Sequence, residues 1–275
     1  MAFAWYGIEL DLDDEWAPVS IEGNQKQGYA RLGSTRAHQV QLRWDTVAKA
    51  PSISESLERY LARIGKDSRK AAFTKEINVA SESEASYRYS GRASARGSIR
   101  YIPDRNLVVL VECVTPGKDS LSAAHQKISA SLKVDCGDLY HWQVLGLNVY
   151  LPKDLEVGKR QLFAGRTTIQ FTAGKHTLVT AERWGLASEL LAKHDFLEWA
   201  RAALELPRAN ITDEDVGIRL VQKGHLLTRT QTALVGLYPK ENRIQSVKVQ
   251  SNRSEWNPEW RWIGFSKDGS EIETS

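Results

Sequence analysis

The sequence is poor in sulfur and has no long apolar run. Its 275 residues include two cysteines, Cys113 and Cys136, and a single methionine. Two cysteines are too few for a disulfide scaffold, so we expect a reducing, cytoplasmic environment. No stretch approaches the roughly 18 apolar residues that a membrane-spanning helix needs, and the first residues lack the basic and apolar regions of a signal peptide. The sequence therefore excludes a disulfide-stapled domain and predicts no membrane partner.

Recognisable catalytic and metal-binding motifs are also missing. The sequence has no G-x4-G-K-[ST] phosphate loop, no G-x-G-x-x-G, no G-x-S-x-G and no H-E-x2-H. Four residues could be read as a zinc set: Cys113, His125, Cys136 and His141. Zinc ligands usually come in closely spaced pairs, whereas Cys113 and His125 lie far apart on a predicted strand and a predicted helix. We therefore expect no metal and no cofactor, and we expect Cys113 to be a small buried hydrophobe.

The second half of the chain repeats the first half, at offsets of 136–140 residues. Three anchors in the same order carry the repeat: Trp5-x2-Ile8-x-Leu10-x-Leu12 recurs as Trp142-x2-Leu145-x-Leu147-x-Val149, Arg43-Trp44 as Arg183-Trp184, and Pro103-x2-Asn106 as Pro239-x2-Asn242. A repeat of this length is a duplicated folded unit and not a solenoid. Because domains usually contain about 100–150 residues, we predict one domain over residues 1–137 and a second over 138–275.

Hydrophobic patterning predicts an α+β fold for each unit. In unit 1, strands near residues 8–12, 28–32 and 40–44 precede a helix that opens at the capping box Ser52-x2-Glu55 and stops at Gly65. Four antiparallel strands follow over residues 73–114, and a closing helix carries Leu121, Ile128 and Leu132. The stretch 107–111 is apolar on both faces, which indicates a central strand covered on both sides.

Unit 2 is predicted to repeat this order, with strands over residues 160–183, helical structure over 186–206 with an N-cap at Asp195, and strands near 216–222, 225–231, 233–238 and 243–250. Pro258 makes a closing helix unfavourable there. The predicted fold is therefore two tandem homologous antiparallel α/β-sandwich units, each β3-α-β3/4-α, of which the second lacks the final helix.

This element order resembles the PsbP-like α/β sandwich, a family that includes the photosystem oxygen-evolving subunit and the Ran-binding Mog proteins. Residues 147–156, Leu-Asn-Val-Tyr-Leu-Pro-Lys-Asp-Leu-Glu, are similar to the opening strand, proline and turn of that family. Unit 1 departs from the pattern, since Asp-Asp-Glu-Trp16 stands there without a proline. The resemblance implies a binding or assembly protein without catalysis.

An arginine- and tyrosine-rich hairpin over residues 87–101 is the first candidate surface. The residues predicted to bind a ligand are Arg88, Arg92, Arg96, Arg100 and Tyr89. Arginine makes bidentate contacts with phosphate and tyrosine offers a stacking face, a combination that suits single-stranded nucleic acid. Strand residues four apart share a face, but the Gly and Ser residues over 90–97 predict a loop that would break this alignment. The alternative is a solvated hairpin whose charges protect a sheet edge.

The second candidate surface is the tryptophan-rich segment near the end of the chain: Trp256, Trp260 and Trp262. Exposed tryptophans are favoured anchors for a protein partner. The alternative, which we favour, is that they fold back over the sheet face that the missing helix leaves bare.

Three hypotheses for the function follow, in decreasing order of preference. The first is a non-catalytic binding or assembly module whose partner is another protein or a second copy. The second is a nucleic-acid or phospholigand binder that uses the arginine hairpin. The third is an enzyme with a site in a cleft between the units, which would draw on His38, His125, His141 or His176.

Overall fold

Antiparallel sheets dominate the structure. The computed structural model describes residues 2–13, 15–35, 38–67, 72–116, 122–214, 216–224, 228–251, 253 and 256–264. The chain divides into two units, Met1–Cys136 and Gly137–Ser275. The predicted α+β class is confirmed, with more sheet relative to helix than the predicted sandwich contains.

Unit 1 opens with a hairpin of β1 (Ala2–Trp5) and β2 (Ile8–Asp11). Its two-residue turn, Tyr6-Gly7, has φ of 53° and 69°, the left-handed pair that matches the twist of a tight hairpin. The short β10 (Lys133–Val134) pairs with the other side of β2. The predicted strand over 8–12 is thus present as β2, and β1 is an additional strand.

The main sheet of unit 1 has seven antiparallel strands in the order β3-β4-β5-β9-β8-β7-β6. Its strands are β3 (Ala17–Gly23), β4 (Gln27–Gly33), β5 (Gln39–Thr46), β6 (Thr74–Ser81), β7 (Glu84–Ser90), β8 (Ala93–Ile102) and β9 (Leu107–Pro116). Strand β9 lies between β5 and β8, which confirms the central position predicted from its apolar run.

Two helices cover opposite faces of this sheet. Helix α1 (Ile53–Asp67) begins where the Ser52 Oγ accepts a hydrogen bond of 3.3 Å from the Glu55 N–H, as the capping pattern predicted. Its buried residues pack against Tyr87, Ile99 and Leu110. Helix α2 (Ser122–Ala130) contacts β2, β8 and β9, and its Ser129 hydroxyl accepts a hydrogen bond from Ser98. The predicted helix residue Leu121 lies outside the described residues.

Unit 2 has the same kinds of element. It begins with the hairpin of β11 (Leu139–Val144) and β12 (Leu147–Pro152), and its seven-stranded sheet has the order β13-β14-β15-β19-β18-β17-β16. The sheet strands are β13 (Glu156–Leu162), β14 (Arg166–Ala173), β15 (Thr177–Gly185), β16 (Asn210–Glu214), β17 (Gly217–Gln222), β18 (Thr230–Tyr238) and β19 (Arg243–Ser251).

Two short helices, α3 (Ala187–Leu191) and α4 (Phe196–Ala203), cover one face of the second sheet. The Asp195 carboxylate caps α4 by accepting a hydrogen bond of 2.9 Å from the Leu197 N–H, as predicted. No closing α-helix lies among the described residues after β19. A 3-10 helix at Trp260–Ile263 contacts β12, β18 and β19 there.

The predicted strand over 225–231 is wrong. Residues 225–227 lie outside the described residues, and β18 starts only at Thr230. A Cβ on Gly224 would come within 2.1 Å of the Thr228 carbonyl oxygen, so the chain makes a close approach to itself at this point. Strand β16 was not predicted because Asn-Ile-Thr-Asp-Glu is polar and half-exposed, and therefore lacks the alternation that marks a strand.

Gly97 provides a test of the packing in unit 1. A Cβ at this position would lie 2.2 Å from the Tyr87 Cζ, so we expect Gly97→Ala to destabilise unit 1 by about 2 kcal/mol through overpacking. Gly165→Ala is the control because its Cβ would meet no atom within 4 Å. Urea unfolding followed by tryptophan fluorescence measures both, and equal free energies of unfolding would contradict this packing.

Candidate functional site

A buried carboxylate organises the face of the first sheet that α1 covers. Glu112 on β9 is 2% exposed. Its Oε2 accepts hydrogen bonds from the hydroxyls of Tyr87 at 2.6 Å and Tyr60 at 3.0 Å, and its Oε1 accepts one from Tyr89 at 3.4 Å. Glu112 pairs with Gly97 across the ladder, and the Tyr87 ring occupies the space that the missing side chain leaves. One carboxylate therefore ties α1 to three strands.

Burial sets the protonation of this cluster. It raises the pKa of Glu112 above the ordinary value of 4.5, although the tyrosine hydrogen bonds and Arg43 oppose the shift. The same burial, with the Glu112 charge nearby, raises the pKa values of Tyr60, Tyr87 and Tyr89. The hydroxyls therefore remain donors throughout the physiological range.

Arg43 on β5 lies beside this cluster. Its guanidinium carbon is 5.1 Å from the centroid of the Tyr29 ring and 5.7 Å from that of Tyr60, so two aromatic rings flank the cation. One terminal nitrogen donates to the Gln41 Oε1 at 3.3 Å. Its Nε is buried without a hydrogen-bond partner among the described residues. Such a group is held in place by stacking while much of its donor capacity stays available.

A cleft of about 550 Å³ opens next to Arg43 and Tyr60. Its floor is apolar and comes from Ile99, Val108 and Leu110, while Tyr29 and Trp44 add aromatic surface. The exposed carboxylates Glu22 and Asp45 lie at its rim. An apolar and aromatic cleft with one oriented guanidinium is the usual composition of a small-molecule site.

The arginine hairpin is more regular than predicted, and the expected loop over 90–97 is wrong. Strand β8 begins at Ala93 directly after the turn at Gly91-Arg92, so Gly97 lies within the strand. Arg88 pairs directly with Arg96. The side chains of Arg88, Arg96 and Arg100 therefore share one face, while Arg92 is exposed at the turn.

Most of this arginine row is paired with carboxylates. Arg88 Nε donates to the Glu76 Oε2 at 2.7 Å, and Arg100 Nε donates to the Glu84 Oε1 at 2.8 Å. Tyr89, also predicted to bind the ligand, lies on the opposite face, where its hydroxyl bonds Glu112 and its ring is 5.7 Å from that of Phe73. The hairpin therefore does not bring Tyr89 together with the arginines.

The tryptophan-rich segment packs onto unit 2. Trp256 and Trp262 are buried, and Trp260 donates a hydrogen bond from its indole nitrogen to the Glu214 carboxylate. The 3-10 helix touches β12, β18 and β19, as α2 touches β2, β8 and β9 in unit 1. The segment thus covers the sheet face that a closing helix would cover, which leaves little tryptophan surface for a partner.

The histidines and cysteines have separate surroundings. His125 Nε2 lies 2.8 Å from the Ser129 Oγ, and burial together with Arg96 lowers the pKa of His125 to about 4. His141 stacks on Tyr150 and lies 2.9 Å from the Asn148 Oδ1, His176 is exposed, and His38 is half-buried beside β5. Burial raises the pKa of the Cys113 thiol to about 12. No group of three His, Cys, Asp or Glu is placed to hold a metal ion within the described part of the chain.

Comparisons with known proteins add no family. No protein-family model matches the chain, and no curated protein matches it. Among the described residues, no helix is both long and apolar enough to cross a bilayer. The site geometry therefore carries the functional argument alone.

The analysis of sequence pattern missed the Glu112 cluster. Glu112 directly follows the apolar run 107–111 of a strand predicted to be covered on both sides. A lone carboxylate at such a place must find hydrogen-bond donors, since burying a charge without partners is very costly. That signal points to a polar site, but only the fold shows that tyrosines 60, 87 and 89 supply the donors.

The raised pKa of Glu112 predicts a pH dependence of stability. The folded state binds this proton more tightly than the unfolded state, so the contribution is full below about pH 4.5 and is lost as the pH rises through the folded-state pKa. Glu112→Gln cannot titrate. We therefore expect its free energy of unfolding, relative to the unsubstituted protein, to improve steadily as the pH increases above this value.

Urea unfolding at a series of pH values, with both proteins in the same buffers, measures this difference. A difference that stays constant across the series would contradict a protonation-linked cost at Glu112.

Proposed function

We propose that the chain is a non-catalytic binding protein made of two copies of one unit, and that unit 1 binds a small aromatic anion in the cleft beside α1. The observation that carries the ligand assignment is the Arg43 guanidinium, flanked by Tyr29 and Tyr60 at the edge of an apolar cleft of about 550 Å³. This volume falls within the usual range of about 300–1,000 Å³ for small-molecule sites.

The matching sheet orders support the duplication. Both seven-stranded sheets place their strands in the same sequence of positions, with a first hairpin before them and helical structure between the third and fourth sheet strands. Both first hairpins turn on a left-handed pair, Tyr6-Gly7 and Leu145-Gly146. Both first sheet hairpins contain a register shift, between Pro18 and Ser20 and between Val157 and Arg160. Independent folds would rarely share all these details.

The ladders also fix the offset between the proposed copies. The two left-handed turns are 139 residues apart, and the turn residues Asn106 and Asn242 are 136 apart. The backbone N–H of Val47 donates to the Asn106 carbonyl, and that of Ala187 donates to the Asn242 carbonyl. An offset of 139 up to the third sheet strand and of 136 in the last strand satisfies both sheets.

Two of the three sequence anchors are out of register with these offsets. The first is slipped by two residues, because Ile8 follows its turn as Leu147 follows the second turn. The Arg-Trp anchor is slipped by one: Trp44 packs on Tyr6, whereas Trp184 packs on Trp199 of α4. A slip of one residue exchanges the two faces of a strand. Only the Pro-x2-Asn anchor matches the ladders.

In the corrected register, the two units carry opposite charges at the candidate site. Arg43 and Glu112 of unit 1 correspond to Glu182 and Lys248 of unit 2. Glu182 accepts hydrogen bonds from Arg166 at 2.7 Å and Thr168 at 3.0 Å.

Lys248 donates to the Leu204 carbonyl at the end of α4, at 3.0 Å. The charges of unit 2 are therefore satisfied internally, whereas Arg43 keeps unused donors beside a cleft. We propose that the ligand site was kept in one copy and filled in the other.

The lining of the cleft defines the ligand class. A carboxylate or similar planar anion would accept two hydrogen bonds from Arg43, and its aromatic body would lie against the apolar floor. Glu22 and Asp45 at the rim disfavour a second negative charge on the far end of the ligand. These requirements favour a monoanionic aromatic compound.

The element order from β3 to α2 in unit 1 is the order by which the sequence resembles the PsbP-like family, and we propose that each unit has that fold. The free thiols, buried Cys113 and exposed Cys136, are consistent with the cytoplasmic location we propose. A protein partner or self-association remains a prediction from the sequence, as does an enzyme site.

Binding of a probe tests the proposed site. We expect 2-naphthoate to bind the protein in isothermal titration calorimetry more tightly than its neutral amide, because only the carboxylate can accept from Arg43. Arg43→Gln should weaken naphthoate binding by about 10- to 100-fold, which corresponds to losing one charge-assisted pair.

Arg63→Gln is the matched control, since Arg63 is exposed and lies 5.8 Å from the other side of the Tyr60 ring. It removes the same charge near the same tyrosine, and we expect it to leave the Kd unchanged. Equal binding of naphthoate and its amide, or undiminished binding by Arg43→Gln, would count against the assignment.

A further inference from the structure

A second pocket lies on the opposite face of the first sheet from the Arg43 cleft. It has a volume of about 250 Å³ and lies between the hairpin of β7 and β8 and helix α2. Its polar lining comes from Asn78, Ser86, Arg88, Arg96, His125 and Gln126. We call it the α2 pocket. Because it does not share lining residues with the Arg43 cleft, it is independent of the function proposed above.

Two arginines meet in the α2 pocket, and only one is neutralised. Arg88 and Arg96 are direct cross-strand partners, an arrangement in which like charges repel. Glu76 compensates Arg88 through the hydrogen bond of 2.7 Å. Arg96 is half-buried and has no hydrogen bond or ion pair with any described residue. A half-buried cation next to another cation is unfavourable unless an anion joins them.

The remaining lining residues offer neutral hydrogen-bonding groups. Asn78 and Gln126 bring amide groups and Ser86 brings a hydroxyl to the same pocket. His125 has its Nε2 engaged with the Ser129 Oγ at 2.8 Å, and with a pKa lowered to about 4 it is neutral at physiological pH. The pocket therefore combines one unpaired guanidinium with several neutral donors, which is how proteins hold an oxyanion.

We propose that the α2 pocket binds a single phosphate group, with Arg96 as its main cation. Phosphate offers acceptor oxygens to the Arg96 fork and to the neighbouring amides, and its charge offsets the repulsion between Arg88 and Arg96. The group comes from free phosphate or from a small phosphorylated molecule.

The structure favours one phosphate over a nucleic-acid strand. A strand-binding surface needs several cations in a row that can each neutralise a phosphate. Here Arg88 and Arg100 are already paired with Glu76 and Glu84, and Arg92 lies apart at the turn. A pocket of about 250 Å³ fits a phosphate group and little more.

Thermal unfolding of the full chain tests this site. We expect inorganic phosphate to raise the Tm by about 3 °C over chloride at matched ionic strength, because a ligand that binds only the folded state stabilises it. Arg96→Gln should abolish this rise. Its own Tm without phosphate should be equal to or above that of the unsubstituted protein, since the substitution removes an uncompensated charge. A purely structural arginine would show a lower Tm instead.

Arg92→Gln is the matched control, because it removes the same charge from the same hairpin at an exposed position. It should keep the full phosphate response. An NMR titration of arginine-labelled protein gives a second measurement that needs no variant. The Arg96 Nε–H resonance should shift with phosphate while that of Arg92 stays in place.

The source of the phosphate is distinguished by comparing inorganic phosphate, adenosine monophosphate and a single-stranded RNA oligonucleotide. Tighter binding of the monophosphate than of inorganic phosphate, with the Arg96 dependence kept, supports a small phosphorylated molecule. Binding of inorganic phosphate alone supports the free ion. RNA binding that needs Arg88, Arg92 and Arg100 as much as Arg96 overturns the single-phosphate site. An absent phosphate response, or an equal response from Arg96→Gln, overturns it as well.

Discussion

The hydrogen bonds that Glu112 accepts from three tyrosines are the constraint on which unit 1 depends. A carboxylate at the centre of a sheet is tolerated only where donors surround it, and Tyr60, Tyr87 and Tyr89 are those donors. They come from α1 and β7, so satisfying one side chain positions a helix on the sheet. Gly97 belongs to the same arrangement because only a residue without a side chain leaves room for the Tyr87 ring. Arg43 then borders the cluster, and the cleft opens beside it.

The two faces of the first sheet carry different chemistry for the same structural reason. Alternate residues of a strand point to opposite faces, so Tyr87 and Tyr89 join the Glu112 cluster while Arg88 faces α2. The α1 face combines tyrosines, one flanked arginine and an apolar floor, which suits an aromatic anion. The α2 face combines a pair of arginines with small polar groups, which suits phosphate. In unit 2, the proposed counterparts of Arg43 and Glu112 have reversed charges and bond within the unit.

Local signals in the sequence were reliable where the physical cause is local. Ser52 and Asp195 cap helices as their spacing predicted, and the apolar run 107–111 forms the central strand. Prediction failed where a distant contact decides. The polar edge strand β16 forms because β17 pairs with it, and Gly97 lies in a strand although it had suggested a loop. The repeat anchors failed in register, since residue identity alone does not tell which face of a strand is buried.

The sequence by itself determined the α+β class, the order of most elements, the central position of β9 and the arginine-rich character of one hairpin, because these follow from periodicity, capping and composition. The tertiary structure decided which charges are free. Arg88 and Arg100 lie opposite carboxylates across strand pairs, whereas Arg96 does not, and Arg43 is flanked by rings from β4 and α1. Charge compensation depends on distances of a few ångströms between residues far apart in the chain, and only the folded sheet sets those distances.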